Sequence, residues 1–400
     1  MKKKYYALSL LYLIACNEVN RIKESKISGY KNNIEVIDLA NSDVDKTIDI
    51  TPFIDTLRFV KLELTDESII GYIQKLIVYK GHIYILDTQT SSLFIFDIDG
   101  RFLSKIQSIG QGPGEYTQLD FFDIDYAREQ ILLTDLMGYQ VLKYDLEGQF
   151  IERMKIPLWI EGLAPVFQKG YVVYANFRNN KRVMSPEYNL IYLDSLMKIE
   201  RAYFPYDSYS VGKNSFNIPT PQSGVFYTYK ENIVFFTLHN YFIYRINRDG
   251  LFPSYEIRFT NKVNNYNSLI EDALSDAKSF EDGQFYSITS VQETDQLLSF
   301  TFTRPSSPLL YQTYFFKNSK RILCAFDYTV GGQLQFDIPT IASYDSWLIS
   351  ELSIEKLLTW KENVKENHDE NSFLQKKKTV VEGLTLDDNP VLMFYKLKDL

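Results

Sequence analysis

An apolar strand runs into an Asp-x-x-Gly turn in the stretch Leu93-Phe94-Ile95-Phe96-Asp97-Ile98-Asp99-Gly100. The turn recurs 48 residues later as Asp145-Leu146-Glu147-Gly148, again behind an apolar strand. A degenerate copy, Asp194-Ser195-Leu196-Met197, follows after 49 residues, and a clear copy, Asn247-Arg248-Asp249-Gly250, after 53 more. An acidic residue and a glycine between apolar runs supply the φ angles of a tight hairpin. Four such signals in step predict a repeat of about 50 residues.

Each repeat holds an inner strand, two middle strands and an outer strand after the turn. The 30 Tyr and 28 Phe of the 400 residues also favour strands. Four-stranded units of this length are typical of propeller blades. The sequence predicts an all-β, six-bladed β-propeller over residues 51–400, with five or seven blades as alternatives. The third strands that give this count are Leu93–Asp97, Gln140–Asp145, Asn189–Asp194, Tyr241–Ile246, Tyr311–Phe316 and Val391–Leu397.

Two features lie outside the regular repeat. The last blade lacks a fourth strand, and an orphan strand at residues 56–64 precedes the first blade. We expect this strand to pair as the outer strand of the last blade, because closing the ring hides an edge. Apolar residues at helical spacing predict helical insertions near 267–280 and 349–364.

The N-terminus has the pattern of an export signal. Three lysines precede an apolar run that ends in Leu13-Ile14-Ala15-Cys16, which resembles a bacterial lipobox. We therefore predict a signal peptide at residues 1–15, a lipid on Cys16 and a tether at residues 16–50. The lipid anchor is the only membrane attachment expected, because no other stretch is long and apolar enough to span a bilayer.

Charge and histidine content limit the chemistry that we expect. The net charge of −8 argues against a nucleic-acid partner. The three histidines, His82, His239 and His368, form no metal-binding or triad motif, so we expect no metal, no cofactor and no identifiable catalytic residue. Asp87 and Asp135 hold equivalent positions, where they are expected to cap the turn between the second and third strands.

Three motifs together resemble a known family. They are the Asp-x-x-Gly turns, the stretch Ile109–Tyr116 and the closing stretch Asn389–Leu397. Across residues 50–400 the chain resembles the six-bladed β-propeller lipoproteins of Bacteroidetes, which are similar to NHL-repeat propellers. The resemblance implies a place in the cell envelope, at the outer membrane, and hints at a carbohydrate-associated role. It carries over no catalytic residues.

The long connections suggest where function lies. They run from outer strands to the next inner strands and should all emerge on one face, where loops on a rigid scaffold often bind ligands. We predict a monomeric binding or scaffold module for a glycan, a peptide or an envelope protein. The alternative is a hydrolase or lyase on a glycan or small ester, acting at the channel mouth. The candidate ligand-binding residues are Glu115, Tyr116, Trp159, Glu161, Tyr206 and Tyr209.

Overall fold

The computed structural model shows six mainly antiparallel sheets arranged as a six-bladed β-propeller. It describes residues 22, 24–27, 34–40, 44–209, 224–238, 240–260, 286–305, 307, 309–332, 334–335, 339–366 and 382–399. The signal peptide, Cys16 and the helix expected at 267–280 lie outside these residues. Within them, no helix is both long and apolar enough to cross a membrane.

The described chain is built mainly from short strands. The strands are β1 (Glu35–Asp38), β2 (Asp45–Asp49), β3 (Ile54–Lys61), β4 (Lys75–Tyr79), β5 (His82–Asp87), β6 (Ser92–Asp97), β7 (Phe102–Ile106), β8 (Phe121–Asp125), β9 (Gln130–Asp135), β10 (Gln140–Tyr144), β11 (Phe150–Lys155), β12 (Gly162–Val166), β13 (Gly170–Tyr174), β14 (Glu187–Leu193), β15 (Ile199–Tyr206), β16 (Phe226–Tyr229), β17 (Asn232–Thr237), β18 (Asn240–Asn247), β19 (Gly250–Arg258), β20 (Ser287–Glu293), β21 (Leu297–Thr303), β22 (Leu310–Phe316), β23 (Ile322–Val330), β24 (Leu334–Gln335), β25 (Thr340–Tyr344), β26 (Trp347–Leu352) and β27 (Val391–Leu397). The helix is α1 (Ile354–Glu366), and a 3-10 turn spans Thr51–Phe53.

Each blade is built on four antiparallel strands, which in blades 1 to 5 follow sequence order from the centre outward. Blades 1, 2 and 3 are β4–β7, β8–β11 and β12–β15, and blades 4 and 5 begin with β16–β19 and β20–β23. Blade 6 is β25, β26, β27 and then β3. The expected ring closure is therefore confirmed, with Val60 of β3 opposite Leu392 of β27.

The hydrophobic core lies between neighbouring blades. The buried apolar residues of the described chain form six clusters, one at each junction between blades. Large side chains fill these junctions, and Tyr84, Tyr171 and Tyr244 are at most 1% exposed. Burial of such aromatic side chains is the main stabilising contribution, at roughly 25 cal/mol per Å² of apolar surface.

The hairpin turns have the chemistry that their sequences predict. Gly100 and Gly148 adopt φ angles of 88° and 92°, which glycine tolerates without strain. The degenerate third copy keeps the same design, because Met197 adopts a φ of 62° in place of glycine. Asp194 Oδ1 accepts hydrogen bonds from the backbone N–H groups of Leu196 and Lys198, both at 2.8 Å.

The segment before β3 differs from the expected tether. β1 pairs in parallel with β19, and β2 pairs in parallel with β23, so blades 4 and 5 each gain a strand on their outer edge. The backbone N–H of Ser25 donates to Ala202 O of blade 3 at 2.8 Å. We call the described residues among 22–50 the strap. Its strands are held against the propeller because exposed strand edges offer unpaired backbone groups to bind.

The helix near the C-terminus begins later than the sequence predicts. Residues 349–352 belong to β26, where Ile349 and Leu352 pair with Phe394 and Val391 of β27. The apolar spacing suits either element, and pairing within the sheet decides for a strand. α1 follows from Ile354 and buries Leu357 and Trp360 against the core between blades 5 and 6.

Candidate functional site

All long connections leave the propeller on one face, which we call the long-loop face. This follows from the strand order, because the connections between blades and the second-to-third strand turns lie at the same ends of the strands. The opposite face, here the hairpin face, carries only short turns such as 98–101 and 145–149. The expected gathering of long loops on one face is thus observed in the described part of the chain.

Exposed apolar side chains concentrate in the connections that begin or end at the long-loop face. Of the 14 large apolar side chains that are exposed among the described residues, nine lie in these connections and only one, Leu196, lies in a hairpin-face turn. Exposed apolar groups that share one face indicate an interaction surface. The nine are Leu64, Ile69, Ile109, Met137, Tyr139, Trp159, Tyr209, Leu309 and Leu386.

Four side chains of blades 2 and 3 form a platform on this face, which we call the Trp159 platform. Trp159 is 46% exposed, and the edge of its ring meets Tyr139 at a centroid distance of 5.9 Å. The Arg178 guanidinium lies over the Trp159 ring, 5.6 Å from its centroid. Arg178 Nε also donates to Glu161 Oε1 at 2.6 Å. The indole is thus held from two sides while part of it remains open to solvent.

Buried polar groups fix the loop that carries Arg178. Asn180 Oδ1 accepts from Trp159 N at 2.8 Å, and its Nδ2 donates to Trp159 O at 2.9 Å. The Glu187 carboxylate, 1% exposed, accepts from Asn180 N at 2.6 Å and from Ser208 N at 2.9 Å. Because each of these buried groups has a partner, the loop has one preferred arrangement.

Tyr206 and Tyr209 extend the platform towards the end of β15. The Tyr206 hydroxyl donates to Arg178 O, and its ring packs edge-on against Phe177 at 5.3 Å. Burial, with a smaller effect of Glu187, raises the Tyr206 pKa well above its ordinary value. Tyr209 is 64% exposed, and Lys181 Nζ lies 5.7 Å from its ring centroid.

Glu115 and Tyr116 lie apart from this group and serve their own loop. Tyr116 is fully buried, and its hydroxyl donates to Ser91 O at 2.8 Å while it accepts from Ser108 N at 3.1 Å. Glu115 Oε2 accepts from Gly112 N at 2.7 Å. The glycines of 110–114 thus give the loop its path around the Glu115 carboxylate, since a Cβ on Gly110 would lie 2.1 Å from Oε2.

The structure therefore brings together Trp159, Glu161, Tyr206 and Tyr209 of the six predicted residues. Sequence reasoning missed Arg178 and Lys181, which contact Trp159 and Tyr209. They lie in the turn between β13 and β14, which is longer than its counterparts in blades 1 and 2. The length of this turn was the sequence feature that could have pointed to these two residues.

The central channel is lined by the inner strands and holds an ion pair. Lys75 Nζ lies 3.2 Å from Asp123 Oδ2, and Asp123 is 2% exposed. Burial raises the Asp123 pKa, and the opposing effect of Lys75 is smaller. A cavity of about 50 Å³ remains beside this pair, too small for anything but water. No group of three or more metal-ligating side chains occurs among the described residues.

Comparisons with known proteins agree with the architecture. The sequence matches the family described as "Domain of unknown function (DUF4934)" over residues 34–396, and no curated protein matches it. A solved structure from Bacteroides fragilis, described as a "Putative exported protein", is similar at a TM-score of 0.71 and 18% identity, covering 91% of this chain and 100% of that chain. A member of the duf4221 family from Bacteroides vulgatus has a TM-score of 0.47 at 10% identity, covering 86% and 97% of the two chains. The first similarity supports the propeller fold.

Proposed function

This chain belongs to the DUF4934 family, and from that premise we propose that it is a binding module of the bacterial cell envelope. Its long-loop face binds a partner protein, with the Trp159 platform at the centre of the contact. The observation that carries this proposal is the exposed Trp159 ring, held between Tyr139 and Arg178.

The composition of the platform favours a protein over a glycan as the partner. Trp, Tyr and Arg are the residues most enriched in the energetically dominant parts of protein interfaces. Met137, 66% exposed, lies in the same turn as Tyr139, and methionine is also enriched in interfaces. A ring fixed before binding loses little conformational entropy when the partner docks.

Export and anchoring complete the proposal. The N-terminal pattern predicts cleavage before Cys16 and a lipid on that residue. We propose that this lipid anchors the chain in the outer membrane. Ile22 packs against the core between blades 2 and 3, so the strap is already held six residues after Cys16. Six extended residues span at most about 20 Å, so the propeller would lie close to the lipid surface.

Photocrosslinking in living cells tests the proposed face. A photoreactive phenylalanine analogue replaces Met137 on the long-loop face, and the matched control replaces Leu196, which is 73% exposed on the hairpin face. We expect a discrete protein adduct from position 137 that is absent from position 196. Trp159→Ala should reduce that adduct at least about tenfold, because hot-spot truncation costs about 2 kcal/mol or more.

Two results would contradict the proposal. One is an adduct pattern that is the same from both positions. The other is an adduct from position 137 that Trp159→Ala leaves unchanged in a protein whose circular dichroism matches the wild type. A glycan array probed with the propeller tests the alternative that the ligand is a glycan. Sugar binding that depends on Trp159 would show that the platform binds a glycan and not a protein.

A further inference from the structure

A second cavity lies on the hairpin face, between blades 4 and 5, and we call it the hairpin-face cavity. Its volume is about 550 Å³, within the range of small-molecule sites. β1 of the strap, β18 and β19 contribute one side, and the turn after β22 contributes the other. Its charged lining residues are Arg245, Lys317, Glu35 and Asp249. It is separate from the Trp159 platform, which lies on the other face.

The inner end of the cavity rests on a buried carboxylate. Glu293, 2% exposed, pairs with Arg245 Nη2 and with Lys317 Nζ, the latter at 2.6 Å. Tyr255 donates to Glu293 Oε1 at 2.8 Å, and Tyr227 donates to Oε2 at 3.5 Å. A carboxylate offers about four acceptor positions, so Glu293 is saturated by these donors.

The two cations exceed the buried negative charge. Arg245 and Lys317 side chains are only 16% and 19% exposed, and they share the single Glu293 carboxylate. Burial lowers the Lys317 pKa even though Glu293 favours its charged form. The Arg245 guanidinium also lies over the Tyr229 ring, 5.1 Å from its centroid. With two cations beside one buried carboxylate, this end of the cavity carries excess positive charge and favours an added anion.

The rest of the lining restricts which anion fits. Glu35 pairs with Lys320 at 2.8 Å, and the exposed Asp249 carboxylate has no partner among the residues the structure describes. The uncompensated negative charge of Asp249 disfavours ligands that carry several negative charges, because like charges repel across a cavity of this size. Phe252 and Pro253 add an apolar wall that suits the hydrocarbon part of a ligand.

We propose that the hairpin-face cavity is a binding site for a small monocarboxylate with an apolar body. The carboxylate lies at the Arg245 and Lys317 end, and the apolar body lies against Phe252 and Pro253. A monoanion supplies the missing negative charge, whereas a dianion also meets the acidic rim.

Fluorine NMR with 4-fluorobenzoate as the probe tests this site on the full propeller. We expect saturable binding to the wild type, with inorganic phosphate and succinate competing weakly. Lys317→Met should weaken binding about tenfold or more, because it removes a charged hydrogen-bond donor. Lys230→Gln is the matched control, since Lys230 is a 61% exposed lysine on the same face, and it should leave binding unchanged.

A second variant covers the case in which Lys317→Met fails to fold. Ser254 lines the cavity and is not among the donors to Glu293 named above, so Ser254→Phe should fill the space and abolish binding. The proposal is overturned if 4-fluorobenzoate does not bind saturably, or if Ser254→Phe binds it as well as the wild type. Phosphate that binds more tightly than the monocarboxylate would also overturn it.

Discussion

Val60 of β3 and Leu392 of β27 are Cα partners in the antiparallel pair that closes the propeller ring. Both are buried, at 2% and 0% exposure, in the core between blades 6 and 1. β3 precedes blade 1 in the sequence, whereas β27 is the third strand of blade 6, so this pair adds the strand before the first blade to the last blade. Closure of this kind removes the free edge that an open ring would present.

Breaking this pair should destabilise the whole ring. We expect Val60→Asp to lower the free energy of unfolding by at least about 3 kcal/mol, because it buries an unpaired carboxylate. Lys61→Asp changes the adjacent exposed position of β3 and should stay within about 0.5 kcal/mol of the wild type. Urea unfolding followed by circular dichroism measures both, and equal midpoints would show that ring closure does not limit stability.

Asp135 joins two connections of the long-loop face, and its removal should be costly. Its carboxylate accepts from Thr117 N and Gly138 N at 2.8 Å and from Gln140 Nε2 at 2.9 Å, and it is fully buried. Asp135→Ala should lower the free energy of unfolding by about 2–4 kcal/mol, because three donors lose a charged acceptor. Asp249→Ala, at an exposed carboxylate, is the control and should change it little. A loss no larger than that of the control would rule out this role.

Most of the fold could be predicted from the repeat in the sequence. Asp-x-x-Gly turns mark hairpins because their φ angles depend on local residues, and the blade count followed from their spacing. Even the degenerate turn at Asp194 proved to be a hairpin of the same kind. Asp87 and Asp135 cap the expected turns, but they also hold Gly71 N and Thr117 N of the preceding connections, which no local pattern reveals.

The strap was missed because its strands are short and polar. β1 holds only two apolar residues, Val36 and Ile37, so no period can be read from it. The Trp159 platform was predicted in part because aromatic residues in long loops stand out. Arg178 of the platform could not be predicted, because its pairing with Glu161 depends on how two connections meet in space.

Two adjacent residues of the strap distinguish a packed strand from a tether. Ile37 is fully buried between blades 4 and 5, whereas its neighbour Val36 is 37% exposed. Ile37→Ala should lower the free energy of unfolding by about 2–5 kcal/mol, because it leaves a cavity in the core. Val36→Ala should cost well under 1 kcal/mol. Thermal and urea unfolding measure both variants. Equal small effects would show that this segment is a tether and not a packed strand.

Glu293 should make the stability of blades 4 and 5 depend on pH. Burial alone raises its pKa, but Arg245 and Lys317 outweigh burial and lower the pKa below the ordinary 4.5. A carboxyl group with a lowered pKa stabilises the folded state fully above the unfolded value, and this contribution is lost as the pH falls through the folded value. We therefore expect urea midpoints to fall with acidification below about pH 4.5.

Glu293→Gln should lower the free energy of unfolding by about 3–5 kcal/mol at pH 7 and flatten this acid dependence, because it leaves two buried cations without a counter-charge. Asp295→Asn, at a 67% exposed carboxyl group nearby, is the control and should keep most of the stability at pH 7 and most of the acid dependence. An acid dependence that persists unchanged in Glu293→Gln would place its origin in other carboxyl groups.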